Sequence, residues 1–99
     1  MNMQAMLKQA QALQKDMLKV KDEIDKTEFV GESSLVKVTL KGTKEVVKVE
    51  IQCDDSLEKD DVEMLQDMIV IAMNDAMKKI DKTTESKMGK FGNIPGLFW

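Results

Sequence analysis

Lysine is the side chain with the most chemical capacity in this sequence. All fifteen positive side chains are Lys, and the chain contains no Arg, His or Tyr. Without His it lacks the most versatile acid/base group near neutral pH and the commonest metal ligand. Without Arg it cannot make the forked, bidentate contact that reads guanine edges. Surface lysines can instead neutralise phosphates as point charges, which carries little sequence information. Two sets are placed for this: Lys8, Lys15 and Lys19 near the start of the chain, and Lys78, Lys79, Lys82, Lys87 and Lys90 near its end. Lys8, Lys15, Lys19, Lys78, Lys82, Lys87 and Lys90 are the candidate residues for contact with duplex DNA. The plainer reading of both sets is a solvated helix surface.

Other reactive groups lead nowhere. Cys53 is the single cysteine, so no disulfide forms within the chain, as suits a reducing compartment. No His or Arg stands in the chain to lower its pKa, and it reads as a small structural residue. Residues 54–67 hold seven acids and one lysine. They lack the Gly and the alternate spacing of a calcium loop, and helix capping and solvation account for them. No nucleophile–base pair and no Gly-rich phosphate loop occurs. The expectation is a protein that is not an enzyme, with no cofactor, no metal and no small-molecule substrate.

The net charge of −3 opposes a polyanion-binding role only on average. Residues 54–67 carry −6, while the rest, with fourteen lysines against eleven acids, carries +3. The chain is polarised.

Ninety-nine residues make one domain. Residues 3–26 read as one helix, with Met3, Met6, Ala10, Leu13, Met17, Val20 and Ile24 at alternating steps of three and four, an a/d heptad seam. Lys8, Lys15 and Lys19 lie on its outer face. Residues 27–52 change to period two. Val36, Val38 and Leu40 alternate with polar residues, as do Val47, Val49 and Ile51, which predicts half-buried strands. A weaker strand over 27–31, with a turn at Glu32-Ser33-Ser34, precedes them, and residues 42–45 form the second turn. The favoured register sets Lys37 opposite Glu50, as an ion pair, and Lys48 opposite Thr39. A second helix starts at about Leu57 or Asp60 and ends at Met88. Its inner line is Val62, Leu65, Ile69, Ala72, Ala76 and Ile80. Met64, Met68, Ile71, Met73 and Met77 widen the apolar zone, so these five are expected in the core or in a dimer interface.

The fold class expected is α+β: long helix, three-stranded antiparallel meander, long helix. Residues 1–88 form the domain, and 89–99 a flexible, Gly- and Pro-containing tail with apolar anchors. Helices of ~36 Å and over ~40 Å must overhang strands of ~20 Å. In a dimer they become prongs. No apolar run is long enough to span a membrane, and Met1-Asn2-Met3-Gln4 lacks the pattern of a signal peptide; the expected location is the cytoplasm.

These residues resemble the YbaB/EbfC family of bacterial nucleoid-associated proteins over nearly the whole chain. The resemblance is carried by Leu7-Lys8-Gln9-Ala10-Gln11, by Gly31-Glu32-Ser33 with Leu35 to Thr39, and by Leu40, Gly42 and Val49-Glu50-Ile51. It continues through Asp60-Asp61, Glu63-Met64-Leu65, Asn74-Asp75-Ala76, Glu85, Lys87-Met88 and Pro95-Gly96-Leu97-Phe98. It implies a tweezer-like homodimer with projecting helices. It also implies binding of duplex DNA with loose sequence preference, and roles in nucleoid organisation and gene expression. The chain departs from the family in its short turn after Ser33 and in having no Arg. The rival reading is a protein-interaction module, a prefoldin-like holdase or coiled-coil adaptor, which the heptads and methionines also permit.

Overall fold

The computed structural model describes residues 2–53 and 57–91. Helix α1 runs over Met3–Lys26. Its start is set by Asn2, whose Oδ1 accepts from the backbone N–H of Gln4 and Ala5 at 3.1 and 3.3 Å, satisfying two of the donors every helix start leaves open. Its end is set by Thr27, which turns extended while its hydroxyl donates to the Glu23 carbonyl at 2.7 Å. Strands β1 (Glu28–Ser33), β2 (Val36–Lys41) and β3 (Val46–Ile51) come next, then helix α2 (Asp61–Met88) and a 3-10 turn over Gly89–Phe91.

The strands form an antiparallel sheet in the order β1-β2-β3. Three details differ from the sequence pattern. β1 extends to Ser33, so the turn falls at Ser34-Leu35, with Ser34 at φ 50°. The β2–β3 register pairs Lys37 with Glu50 and Thr39 with Lys48, as expected, but slips by one residue between Thr39 and Leu40, leaving Val47 as an extra residue. Lys37 Nζ lies 3.9 Å from Glu32 on β1, while Glu50 is instead 3.3 Å from Lys48. Lys37 is flanked by an acid on each neighbouring strand and sits with the β1 one.

α2 begins at Asp61 without a side-chain cap from Asp60. The oxygen of Asp61 accepts from the Glu58 backbone N–H at 2.9 Å and orders the approach. The expected capping residues, 54–56, lie outside the described residues.

Packing explains the layout. α2 lies across β1 and β2 and leaves β3 largely uncovered. Val36, Val38 and Leu40 are buried against Ala72, Ala76 and Ile80. The close approach rests on Gly31, where a Cβ would strike the Ala72 carbonyl oxygen and come within 2.9 Å of the Ala76 Cβ. Gly42 plays the same part at the other end, against the Ile24 carbonyl. A second cluster, Met17, Ile24, Met88 and Phe91, joins α1 to the end of α2, and Phe29 packs on both clusters.

α1 and α2 overlap only there, antiparallel, with Ile24 at the level of Ile80 and Met17 at that of Met88. The molecule is therefore long, 71 × 18 × 16 Å with a radius of gyration of 19.7 Å, against about 13 Å for a compact chain of this length. The first half of α1 stands clear of the body: Met3, Met6 and Ala10 are exposed, while Met17 and Ile24 of the same seam are buried. The packed body extends through Phe91, which is 1% exposed, past the expected domain end at Met88. The rest of the expected tail, 92–99, lies outside the described residues.

Candidate nucleic-acid interface

The lysines divide by what stands beside them. Lys21, Lys26, Lys37, Lys41, Lys44, Lys48 and Lys79 each lie within 4.0 Å of a carboxylate. Among the described residues, Lys8, Lys15, Lys19, Lys59, Lys78, Lys82 and Lys87 are exposed and take part in none of these pairs; Lys59 falls in the acidic stretch before α2, and the charge of Lys78 acts on Asp75 and helps to lower its pKa. A paired lysine presents a near-neutral surface to a polyanion; an unpaired one presents its full charge. The seventh candidate, Lys90, lies in the 3-10 turn.

Their placement follows from the helices. Lys8 and Lys15 occupy the projecting half of α1, where residues 2–15 contain no acid. The acids of α1 (Asp16, Asp22, Glu23 and Asp25) collect toward the sheet, where Asp22 and Asp25 hold Lys26 and Lys21 at 2.9 and 3.2 Å. The Asp22 carboxylate, through its hydrogen bond and its charge, raises the Lys26 pKa. Because Met17 meets Met88, residues 15–19 of α1 lie level with the last turns of α2, which carry Lys82 and Lys87. The structure thus brings Lys15 and Lys19 level with Lys82 and Lys87, with Lys8 farther out on the prong, whereas Lys78 and Lys79 stand beside β1. Residues 57–67, with their acids, lie at the opposite end of α2.

Lys79 has another task, which sequence spacing did not reveal. Its Nζ donates to the Val30 carbonyl at 2.7 Å and lies 3.3 Å from Asp75, whose Oδ2 accepts from the Glu32 backbone N–H at 3.2 Å. That N–H and Lys79 hold the Asp75 carboxyl below its usual pKa. Together the two side chains cover outward-facing backbone groups of β1 and blunt one sheet edge.

The five apolar candidates on α2 do not share one face. Met68 and Met73 pack on the core. Ile71 borders Glu32, Asp75 and Lys78 on the β1 side, and Met64, two turns earlier, shares that flank. Met73 and Met77 fall on the opposite flank, beyond the Ala72–Ala76 line. There the uncovered core face of β3 begins, with Val49 and Ile51 45% and 43% exposed although their β2 partners Val38 and Val36 are buried.

Among the described residues, no group of His, Cys, Asp or Glu is arranged to hold a metal ion. No helix in them is long and apolar enough to cross a membrane.

The model of the YbaB/EbfC DNA-binding family matches residues 1–94. A nucleoid-associated protein of Ligilactobacillus salivarius is 47% identical over 98% of this chain and 95% of its own length. One from Streptococcus thermophilus is 49% identical over 96% and 98%. The crystal structure of the uncharacterized protein HP0035 from Helicobacter pylori superposes with a TM-score of 0.74 at 21% identity, covering 94% of this chain and 99% of that one; it has the same fold.

Proposed function

The chain belongs to the YbaB/EbfC DNA-binding family, and from that membership we propose that it is a nucleoid-associated protein of the cytoplasm that binds duplex DNA as a homodimer. Its lysines grip phosphates with little regard for sequence. The observation that carries this reading is the separation of the lysines: Lys8, Lys15 and Lys19 of α1 and Lys82 and Lys87 in the last turns of α2 are exposed and, among the described residues, in no ion pair, whereas Lys37, Lys41 and Lys48 on the sheet lie beside acids. The acidic start of α2 stays at the far end and repels the duplex. Gene expression and nucleoid organisation would be affected through occupancy of many weak sites.

A titration of labelled duplex at rising salt tests the mechanism. Engagement of about six phosphates predicts a fall in affinity of about a thousandfold between 50 and 200 mM salt. Affinity that stays within about threefold over that range is incompatible with phosphate contact as the main source of binding.

The homodimer contact we propose is the β3 flank. β1 has its edge covered by Asp75 and Lys79, whereas β3, the other edge strand, meets no such cover among the described residues and carries exposed apolar side chains, continued on α2 by Val70, Met73 and Met77. A second copy seated there buries all of them and leaves both α1 prongs outside. Val49→Glu places a charge in that contact without touching the buried cluster. The expected result is a monomer by sedimentation equilibrium with an unchanged helical signal. A dimer of unchanged affinity moves the contact elsewhere, with the Met64–Ile71 flank next in line.

A further inference from the structure

Two helix faces at opposite ends of the molecule carry large apolar side chains left exposed among the described residues. On the projecting half of α1 these are Met3, Met6 and Leu7, and Leu18 continues the flank of Leu7 farther along the helix. On the outer flank of α2, Met64 and Ile71 stand exposed two turns apart. Side chains of this size are costly to leave in water. Each patch alone is narrow, the size of a transient contact.

The charges beside the two patches are opposite. Residues 2–15 hold Lys8 and Lys15 and no acid, a charge of +2. Residues 57–67 hold Glu58, Asp60, Asp61, Glu63 and Asp67 against Lys59, a charge of −4, and Ile71 also borders Glu32. Spacing agrees as well as sign. Lys8 and Lys15 are seven residues apart, as are Asp60 and Asp67, so each pair spans about 10 Å of helix. Lys8 adjoins Leu7, and Asp67 falls between Met64 and Ile71 in the sequence. Among the described residues, none of these four charged groups belongs to an ion pair within the chain.

Within one chain the two patches do not meet. α1 joins α2 where Met17 and Ile24 pack with Met88 and Phe91, and the molecule is 71 Å long. The occupant whose apolar row and acids match the α1 prong in sign and spacing is a second copy.

We propose that the projecting half of α1 docks on the Met64–Ile71 flank of α2 in a second copy, with Leu7 against that apolar row and with Lys8 and Lys15 beside Asp60 and Asp67. The contact joins unlike surfaces, so it repeats from copy to copy and does not close on two. It uses lysines that a polyanion would also use, so a duplex competes with it. It needs only this chain and stands or falls apart from the DNA-binding reading.

Sedimentation equilibrium without nucleic acid tests it. In 10 mM salt charges act over about 30 Å, and in 1 M salt over about 3 Å. The weight-average mass should rise with protein concentration at 10 mM salt to at least about twice its value in 1 M salt. Lys8→Glu with Lys15→Glu should abolish that rise, and so should Asp60→Lys with Asp67→Lys. All four side chains are exposed, so both variants should keep the helical signal. Mixed one to one, the two variants present ends that fit again, and the rise should return. Leu7→Gln leaves the charge unchanged and should weaken association by about fivefold. The proposal is overturned by equal masses in the two salts, by a rise that survives either charge variant, by a mixture that stays apart, or by Leu7→Gln associating as the unaltered chain does.

Discussion

Gly31→Ala is expected to lower the melting temperature by about 10–20 °C, the shift that a loss of about 2–3 kcal/mol produces in a domain of this size. The added methyl group points at α2, where it meets the Ala72 carbonyl oxygen, the Ala76 backbone nitrogen and, at 2.9 Å, the Ala76 Cβ. Two of these are backbone atoms of a continuous helix and have no rotamer into which to withdraw. The helix must lift from β1 as a body. Lifting it loosens Val36, Val38 and Leu40 against Ala72, Ala76 and Ile80, where each large side chain contributes roughly 1.5–3 kcal/mol by burial. It also lengthens the bonds from Lys79 and Asp75 to the β1 edge. Gly89→Ala is the matched control. That residue has helical dihedrals and, among the described residues, no atom within 4 Å of an added Cβ, so the same methyl group should be neutral or add up to about 1 kcal/mol. Equal melting temperatures for the two variants would refute the close-packing account of Gly31.

That glycine also marks the limit of what the sequence makes legible. The a/d spacing on α1 fixes a helix with one apolar seam, and the alternation of Val36 to Lys41 fixes a strand with one wet face, because each pattern contains its own period. Gly31 breaks the alternation of β1 in mid-strand, so the strand reads as short, ending where the glycine stands. Only the nearness of Ala72 and Ala76, more than forty residues on, shows why a side chain is missing there. Lys79 is the same kind of case. Its position among Lys78 and Lys82 is that of any basic helix end, and its bond to Val30 exists only because α2 crosses β1. The bulge at Val47 and the choice of Glu32 over Glu50 by Lys37 are likewise properties of three strands together. Composition makes the candidate DNA contacts visible as lysine-rich stretches. Which of those lysines carry an unopposed charge depends on which carboxylates the fold delivers to them.

Reversing the charge of Lys8, Lys15 and Lys19 together, as Lys→Glu, is expected to weaken duplex binding by about a thousandfold or more at 50 mM salt and to flatten its salt dependence. Each phosphate contact releases a condensed counterion, and at 50 mM salt that release favours the complex by about fifteenfold per contact relative to 1 M. Loss of three contacts per subunit reaches the thousandfold range before any repulsion by the new carboxylates is counted. All three residues are exposed and, among the described residues, in no ion pair, so the helix keeps its seam and the fold should be indifferent. The comparison that gives the result its meaning is Lys37, Lys41 and Lys48 changed to Glu in the same way. The net charge change is identical, yet these three lie beside Glu32, Glu45 and Glu50 on the wet face of the sheet. If the prong is the site, binding should fall far less in that variant, through long-range repulsion alone, which 150 mM salt screens beyond about 8 Å. Equal losses in the two variants would mean that DNA senses only the overall charge of the protein, and the prong would have no privileged part in holding it.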